Sequence, residues 1–123
     1  MSRLRESLIE LIRRTSAEIP DDVQTAILRG LEQEKEGTIA KSAMEIIERN
    51  IGLAKSKSQP ICQDTGSILF YVDCPVGMNQ VEFAQESREA VKEATKLGYL
   101  RQNSVDSVTG KNDGTNLGPG SPN

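Results

Sequence analysis

The sequence predicts an α+β fold that is predominantly helical, with about four helices and one or two short strands. Three segments within residues 1–57 repeat apolar side chains at the spacing of an amphipathic helix. A short run of β-branched and aromatic residues at 67–73 has the composition of a buried strand. Because only 3% of the residues are aromatic, we expect the core to be filled by Leu, Ile, Val and Ala.

The first two helices are indicated by apolar periodicity together with start and stop signals. The first is predicted over about residues 3–15, with Ser2 as its N-cap. The second begins near Pro20, which precedes two aspartates that suit a helix N-terminus, and it runs until Gly37. The apolar stripes of these two helices are Leu4, Leu8, Leu11 and Ile12, and then Val23, Ala26, Ile27, Gly30 and Leu31.

The third and fourth helices are predicted from the same signals. Thr38 caps the third, which continues toward Lys57, and Gln59 cannot easily extend it because a proline follows. Gly98 ends the fourth, in the position that a left-handed C-cap favours. Their stripes are Ala40, Ala43, Met44, Ile47 and Ile51, and then Val81, Ala84, Val91, Ala94 and Leu97.

The remaining segments are predicted to be a strand, a turn and a long loop. Residues 67–73 form the strand, Pro75 and Gly77 turn the chain, and Cys74 at the strand's end is expected in the core. Residues 103–123 are rich in Gly, Asn, Ser, Thr, Asp and Pro. We expect this segment to be a loop, disordered in this chain alone and part of an active site in a longer protein.

Charge and apolar distribution limit the partners and the compartment. The 15 basic and 18 acidic residues are mixed along the chain and give a net charge of -3, so nucleic acid is not expected to bind. Charged residues interrupt the apolar positions of the N-terminus, and no run of 18 apolar residues occurs, so we expect neither a signal peptide nor a membrane span. The sequence therefore predicts a cytoplasmic protein with reduced cysteines.

The stretch PICQDTG at residues 60–66 is the main candidate for chemistry. Its Cys62 is a soft ligand suited to an iron-sulfur cluster, zinc or copper(I), or a nucleophile if a base lowers its pKa. The nucleophile is the weaker alternative because the chain contains no histidine. Gln63 and Asp64 add a donor and an acceptor beside the thiol, which favours a metal site. A buried structural thiol is the simplest alternative.

Three stretches together resemble a known family. PICQDTG follows AMEIIERNIGLAKSKSQ at 43–59 and precedes GYLRQNSVDSVTGKNDGTN at 98–116. This arrangement resembles the N-terminal part of the alpha subunit of iron-sulfur hydro-lyases, the class I fumarases and L(+)-tartrate dehydratases. The resemblance covers essentially the whole chain. It implies reversible hydration of fumarate to malate, a step of the tricarboxylic acid cycle, with tartrate dehydration as the alternative within the class.

The resemblance also implies roles for individual residues. Cys62 would be one of three cysteine ligands of a 4Fe-4S cluster whose open iron acts as a Lewis acid. Gln63 and Asp64 would contact a small dicarboxylic acid substrate, and Asp64 would exchange a proton with the hydroxyl that leaves or arrives. Arg101 would bind a substrate carboxylate through paired N–H donors. Thr65 and Asn103 would hold the loops around the site.

The chain departs from the family pattern in its metal ligands. It has two cysteines, and Cys74 stands where the family does not ordinarily carry a ligand. We therefore expect residues 1–123 to be the N-terminal portion of a larger catalytic domain, inactive alone and without a bound cluster. A beta subunit or C-terminal domain would complete the site, in an oligomer with exposed apolar surface on this portion. The alternative from another class is a non-catalytic helical binding or assembly module.

Overall fold

The computed structural model describes residues 2–61, 67–102, 105–118 and 121–122. These residues contain four helices: α1 (Arg3–Ala17), α2 (Asp21–Gln33), α3 (Ile39–Lys57) and α4 (Gln80–Lys96). The prediction of a predominantly helical chain is confirmed. No helix within the described ranges is both long enough and apolar enough to cross a membrane.

The helix starts follow local side-chain chemistry. Ser2 Oγ accepts a hydrogen bond from the backbone N–H of Arg5 at 3.1 Å, and Thr38 Oγ1 accepts one from Lys41 N at 3.1 Å. Both predicted caps are confirmed. They satisfy N–H groups that have no carbonyl partner in the first turn of a helix.

Helices α1 and α4 form the core of the chain. Leu8 and Ile12 of α1 pack against Ala90, Val91 and Ala94 of α4, and all five side chains are buried. The α4 residues fall at i, i+1 and i+4, so they share one face of the helix. The half-buried residues around this cluster are Ile9, Ile68, Phe70, Phe83, Tyr99, Leu100 and Leu117. The core is mainly aliphatic, as expected from the composition.

Helices α2 and α3 form a more exposed hairpin. The Lys41 ammonium group donates a hydrogen bond to the carbonyl of Leu31 at 2.8 Å, near the end of α2. Among the α3 residues that the sequence placed on an apolar stripe, Ile51 is buried, whereas Ile47 is 45% exposed. Ile39 and Ile46, outside that stripe, are also exposed. Much of the apolar surface of α3 is therefore exposed in this chain, as expected for a portion of a larger domain, because α2 covers only part of the helix.

The predicted strand at 67–73 is not found. These residues have no ladder partner within the described parts of the chain, and a strand exists only when a second strand pairs with it. Ile68 and Phe70 still pack on the core, whereas Tyr71 is 93% exposed. The chain then leaves the core, so Cys74 is exposed, and its predicted burial is also wrong.

The end of α4 redirects the chain toward the C-terminal loop. Gly98 has a φ of 83°, and the N–H groups of Gly98 and Tyr99 donate to the carbonyls of Thr95 and Ala94 at 3.1 and 3.0 Å. This pair of bonds is a Schellman motif, which confirms the predicted glycine stop. Beyond it, the described residues contain turns and one isolated bridge between Gly118 and Ser121.

Candidate functional site

Most of the predicted site residues lie outside the described parts of the chain. These are Cys62, Gln63, Asp64, Thr65 and Asn103. The structure does describe the residues that border the motif, Ile61 on one side and Ser67 on the other, and it describes Arg101. The contacts of Ile61 and Arg101 therefore define the candidate site.

Ile61 anchors the start of the motif. Its side chain is 7% exposed, and its N–H donates to the carbonyl of Ser16 near the end of α1 at 2.9 Å. Two residues earlier, Gln59 N donates to the carbonyl of Ala54 in α3 at 3.0 Å. The chain therefore enters the motif from a backbone position that is fixed against two helices.

Arg101 approaches the same point from the other side of the sequence. Its Nη2 donates to the carbonyl oxygen of Ile61 at 3.2 Å, across a separation of 40 residues. The Gly98 turn and the packing of Leu100 on the core bring the chain back to this place. The guanidinium thus contacts the residue that directly precedes Cys62. The segment around Arg101 and the start of PICQDTG, both singled out in the sequence, therefore meet.

Asn116 ends the stretch 98–116 that carries the resemblance, and the sequence predicted no role for this residue individually. Its Nδ2 donates to the carbonyl of Arg101 at 2.7 Å and to Thr95 Oγ1 at 2.9 Å. Composition placed it in a polar loop, where a buried asparagine looks the same as an exposed one. The sequence did contain one sign of a buried polar partner. Thr95 carries a hydroxyl at i+4 from Val91, on the buried face of α4, where a polar group needs a hydrogen-bond partner.

Two carboxylates of the C-terminal loop serve the loop itself. Asp106 Oδ1 accepts hydrogen bonds from the N–H groups of Thr109 and Val108 at 2.7 and 2.9 Å. These bonds, that from Thr109 first, hold the pKa of Asp106 below its ordinary value. A hydrogen bond from the Thr115 hydroxyl likewise lowers the pKa of Asp113. Both side chains are ionised acceptors that shape turns in residues 106–115.

The described residues do not form a metal site by themselves. No group of three or more His, Cys, Asp or Glu side chains is arranged to hold a metal ion within 2–61, 67–102, 105–118 and 121–122. Cys74, the described cysteine, is exposed. Of this chain's two cysteines, Cys62 is the one that follows directly on the Arg101 contact at Ile61.

The chain matches a family of known enzymes. The family model described as Fumarate hydratase (Fumerase) matches residues 5–121. The chain belongs to this family. Within it, the chain is 46% identical over 122 residues to a protein of Geobacillus stearothermophilus provisionally named fumarate hydratase class I. The match includes 99% of this chain and 24% of that protein.

The chain is also similar to proteins named for another substrate. The chain is 30% identical over 123 residues to the L(+)-tartrate dehydratase subunit alpha of Escherichia coli K12, covering 99% of this chain and 40% of that subunit. A protein of Methanocaldococcus jannaschii, provisionally named L(+)-tartrate dehydratase subunit alpha, is 31% identical, and the match covers 43% of its length. The chain thus spans 24% to 43% of the length of these three relatives.

Proposed function

We propose that residues 1–123 are the N-terminal portion of the catalytic domain of a class I fumarate hydratase, which reversibly hydrates fumarate to malate. The observation that carries this proposal is the contact between Arg101 Nη2 and the carbonyl of Ile61, because it joins the LRQN segment to the start of PICQDTG. The higher identity to the relative named for fumarate, 46% against 30%, favours fumarate over tartrate.

Each residue has a proposed role in binding or proton transfer. Arg101 binds one carboxylate of the substrate, because a guanidinium presents parallel N–H donors that match a carboxylate. Gln63 contacts the same substrate. Asp64 also contacts it and exchanges a proton with the hydroxyl that leaves or arrives. In the complete protein, the segment at 103–123 forms part of the active-site loop, a role supported by the Asn116 contacts to Arg101 and Thr95.

The donor set of this chain does not complete an iron-sulfur cluster. The chain has two cysteines and no histidine, and Cys74 is exposed. We propose that Cys62 is one ligand of a 4Fe-4S cluster and that the others come from outside these 123 residues. Such a cluster, when bound, supplies an open iron that polarises substrate oxygens. We expect no cluster on this chain alone.

Completion of the site requires partners. We propose a beta subunit or a C-terminal domain of the same polypeptide, within a cytoplasmic oligomer that does not bind nucleic acid. Ile39 is 90% exposed and Ile46 is 64% exposed. Exposed apolar side chains of this kind support the proposal that a partner covers this surface of α3 in the complete enzyme. Residues 67–73 are proposed to pair as a strand there. The side chains of residues 67–71 alternate between half-buried and exposed, with Phe70 on the core and Tyr71 outside.

The metal role of Cys62 is tested with a matched pair of cysteine variants in the full-length, anaerobically reconstituted enzyme. We expect Cys62→Ser to lose iron and malate formation, and Cys74→Ser to retain both because Cys74 is exposed. Iron content and the rate of malate formation are measured for each. Unchanged turnover in Cys62→Ser would remove this residue from the mechanism.

The role of Arg101 is tested by Arg101→Lys, with Arg88→Lys on the exposed side of α4 as the control. Loss of a charged, paired hydrogen bond predicts a fall in kcat/KM worth roughly 1.5 to 3 kcal/mol, or about 10- to 150-fold, with a raised KM. Kinetics like those of the control would make Arg101 a surface charge.

Assaying tartrate alongside fumarate decides between the two substrates. If the complete protein turned over neither substrate and bound no iron, the non-catalytic module would be favoured.

The proposed strand is tested by hydrogen exchange in the full-length enzyme. A paired edge predicts that alternate amides within residues 67–73 exchange about 100-fold more slowly than unpaired ones. Uniformly fast exchange would show that the segment stays unpaired.

A further inference from the structure

Asn116 is a polar side chain buried where three segments of the chain meet. It is 3% exposed, although the surrounding loop is mostly exposed or half-buried. Its backbone is left-handed, with a φ of 58°, a conformation that asparagine adopts more readily than most residues. Both the burial and the left-handed backbone indicate that contacts with the rest of the chain hold Asn116 in this position.

The side chain and backbone of Asn116 connect those three segments. Its Nδ2 donates to the carbonyl of Arg101 at 2.7 Å and to Thr95 Oγ1 of α4 at 2.9 Å. Its backbone carbonyl accepts a hydrogen bond from Ser121 Oγ at 2.9 Å. A buried amide is unfavourable unless its donors are satisfied, so these partners are held in place together.

The contacts continue from Asn116 to the border of the motif. Asn116 fixes the backbone of Arg101, and the Arg101 guanidinium donates to the carbonyl of Ile61 at 3.2 Å. Ile61 is held in turn by its N–H bond to Ser16 at 2.9 Å. The carbonyl of Ile61 belongs to the peptide that leads into Cys62. A shift of the Arg101 backbone would therefore act on the entrance to the motif.

We propose that Asn116 is a positioning residue, which fixes the backbone of Arg101 so that its guanidinium reaches the Ile61–Cys62 peptide and faces the substrate. The catalytic consequence rests on the proposed function, whereas the placement of Arg101 does not. Asn116 acts through Arg101 and does not itself contact substrate. A purely structural Asn116 would change stability without changing the region of Ile61 selectively.

The test compares two asparagine variants in the full-length enzyme. Asn116→Gly removes the amide while keeping a residue that adopts a left-handed backbone easily. Asn79→Ala is the control, because it removes the N-cap bond that the N–H of Glu82 donates to Asn79 Oδ1 at 3.1 Å, at the other end of α4. Hydrogen exchange is measured on metal-free protein, and KM and kcat for fumarate on the reconstituted enzyme.

We expect Asn116→Gly to speed exchange of the Ile61 amide about tenfold and to lower kcat/KM about tenfold, mainly through a raised KM. Asn79→Ala lowers the melting temperature but leaves both quantities close to wild type. Unchanged exchange at Ile61 in Asn116→Gly, or effects equal to those of Asn79→Ala at equal loss of stability, would overturn the proposal. Faster exchange with unchanged kinetics would also overturn it.

A second pair of variants covers the case in which Asn116→Gly does not fold. Thr95→Val removes the hydroxyl that ties Asn116 to α4, and Thr95→Ser keeps it. Faster exchange at Ile61 in Thr95→Val that Thr95→Ser restores supports the proposal, and equal behaviour of the two overturns it. The exchange measurement needs no activity, so if the wild-type enzyme did not hydrate fumarate, the proposed function would fail while the placement of Arg101 would still be decided.

Discussion

Val91 offers a quantitative test of the α1–α4 core. It is the largest side chain with no exposed area among the described residues, and it lies in the cluster with Leu8 and Ile12. Val91→Ala removes two methyl groups, worth about 0.8 kcal/mol each, and leaves a cavity that adds about 1 kcal/mol. The better helix propensity of alanine offsets about 0.6 kcal/mol. The net loss of unfolding free energy is about 2 kcal/mol.

The control for this prediction lies on the same helix. Val81 is 79% exposed, so Val81→Ala deletes the same atoms from α4 without opening a cavity. Thermal unfolding followed by circular dichroism should show a melting temperature about 8 °C lower for Val91→Ala, and unchanged or up to about 2 °C higher for Val81→Ala because only the helix propensity of alanine acts there. The sequence placed both valines on one apolar stripe, and burial distinguishes them. Equal shifts in the two variants would refute the assignment of the core to this face of α4.

Three further predictions concern stability. Hydrogen bonds from Arg13 and Arg14 lower the pKa of Glu10 from 4.5 to about 2. Glu10 therefore stabilises the fold above about pH 4.5 and loses this effect as the pH falls toward 2, so the difference in melting temperature between wild type and Glu10→Gln should shrink over that range. Gly98→Ala places a side chain at a φ of 83° and should lower the unfolding free energy by about 1 kcal/mol in urea denaturation, and no loss would contradict the left-handed cap. Gly30→Ala brings a Cβ within 3.2 Å of the Met44 methyl, a flexible end that can move, so helix propensity should dominate and raise the melting temperature; a fall would mean that Met44 cannot yield.

Local chemistry made much of the helical structure predictable. Ser2, Thr38 and Gly98 act on neighbours within a few residues, and each forms the predicted cap. Strand pairing and burial depend on partners far along the chain, so composition alone did not decide them. For this reason the strand at 67–73 is not found among the described residues and the predicted burial of Cys74 is wrong, although half-buried and exposed side chains alternate over residues 67–71.

The residues of the candidate site also differ in how far the sequence predicted them. The meeting of Arg101 with the border of the PICQDTG motif followed from a resemblance over the whole chain, and the bond to the carbonyl of Ile61 agrees with it. Cys62, Gln63 and Asp64 lie outside the described residues, and their roles stay predictions. Asn116 was missed because a burial of 3% inside a Gly- and Asn-rich loop comes from α4 and the Arg101 segment, not from its own neighbours in sequence.

The attachments of the site distinguish the two helix pairs. Ile61 bonds to Ser16 near the end of α1, and Asn116 bonds to Thr95 of α4, so both of these residues are attached to the helix pair that holds the core. Helix α2 has no buried residue in this chain. Loosening the α1–α4 contact through Val91→Ala should therefore speed hydrogen exchange at Ile61, whereas Gly30→Ala in α2 should alter stability without that effect. Equal exchange at Ile61 in the two variants would show that the site does not depend on the α1–α4 pair.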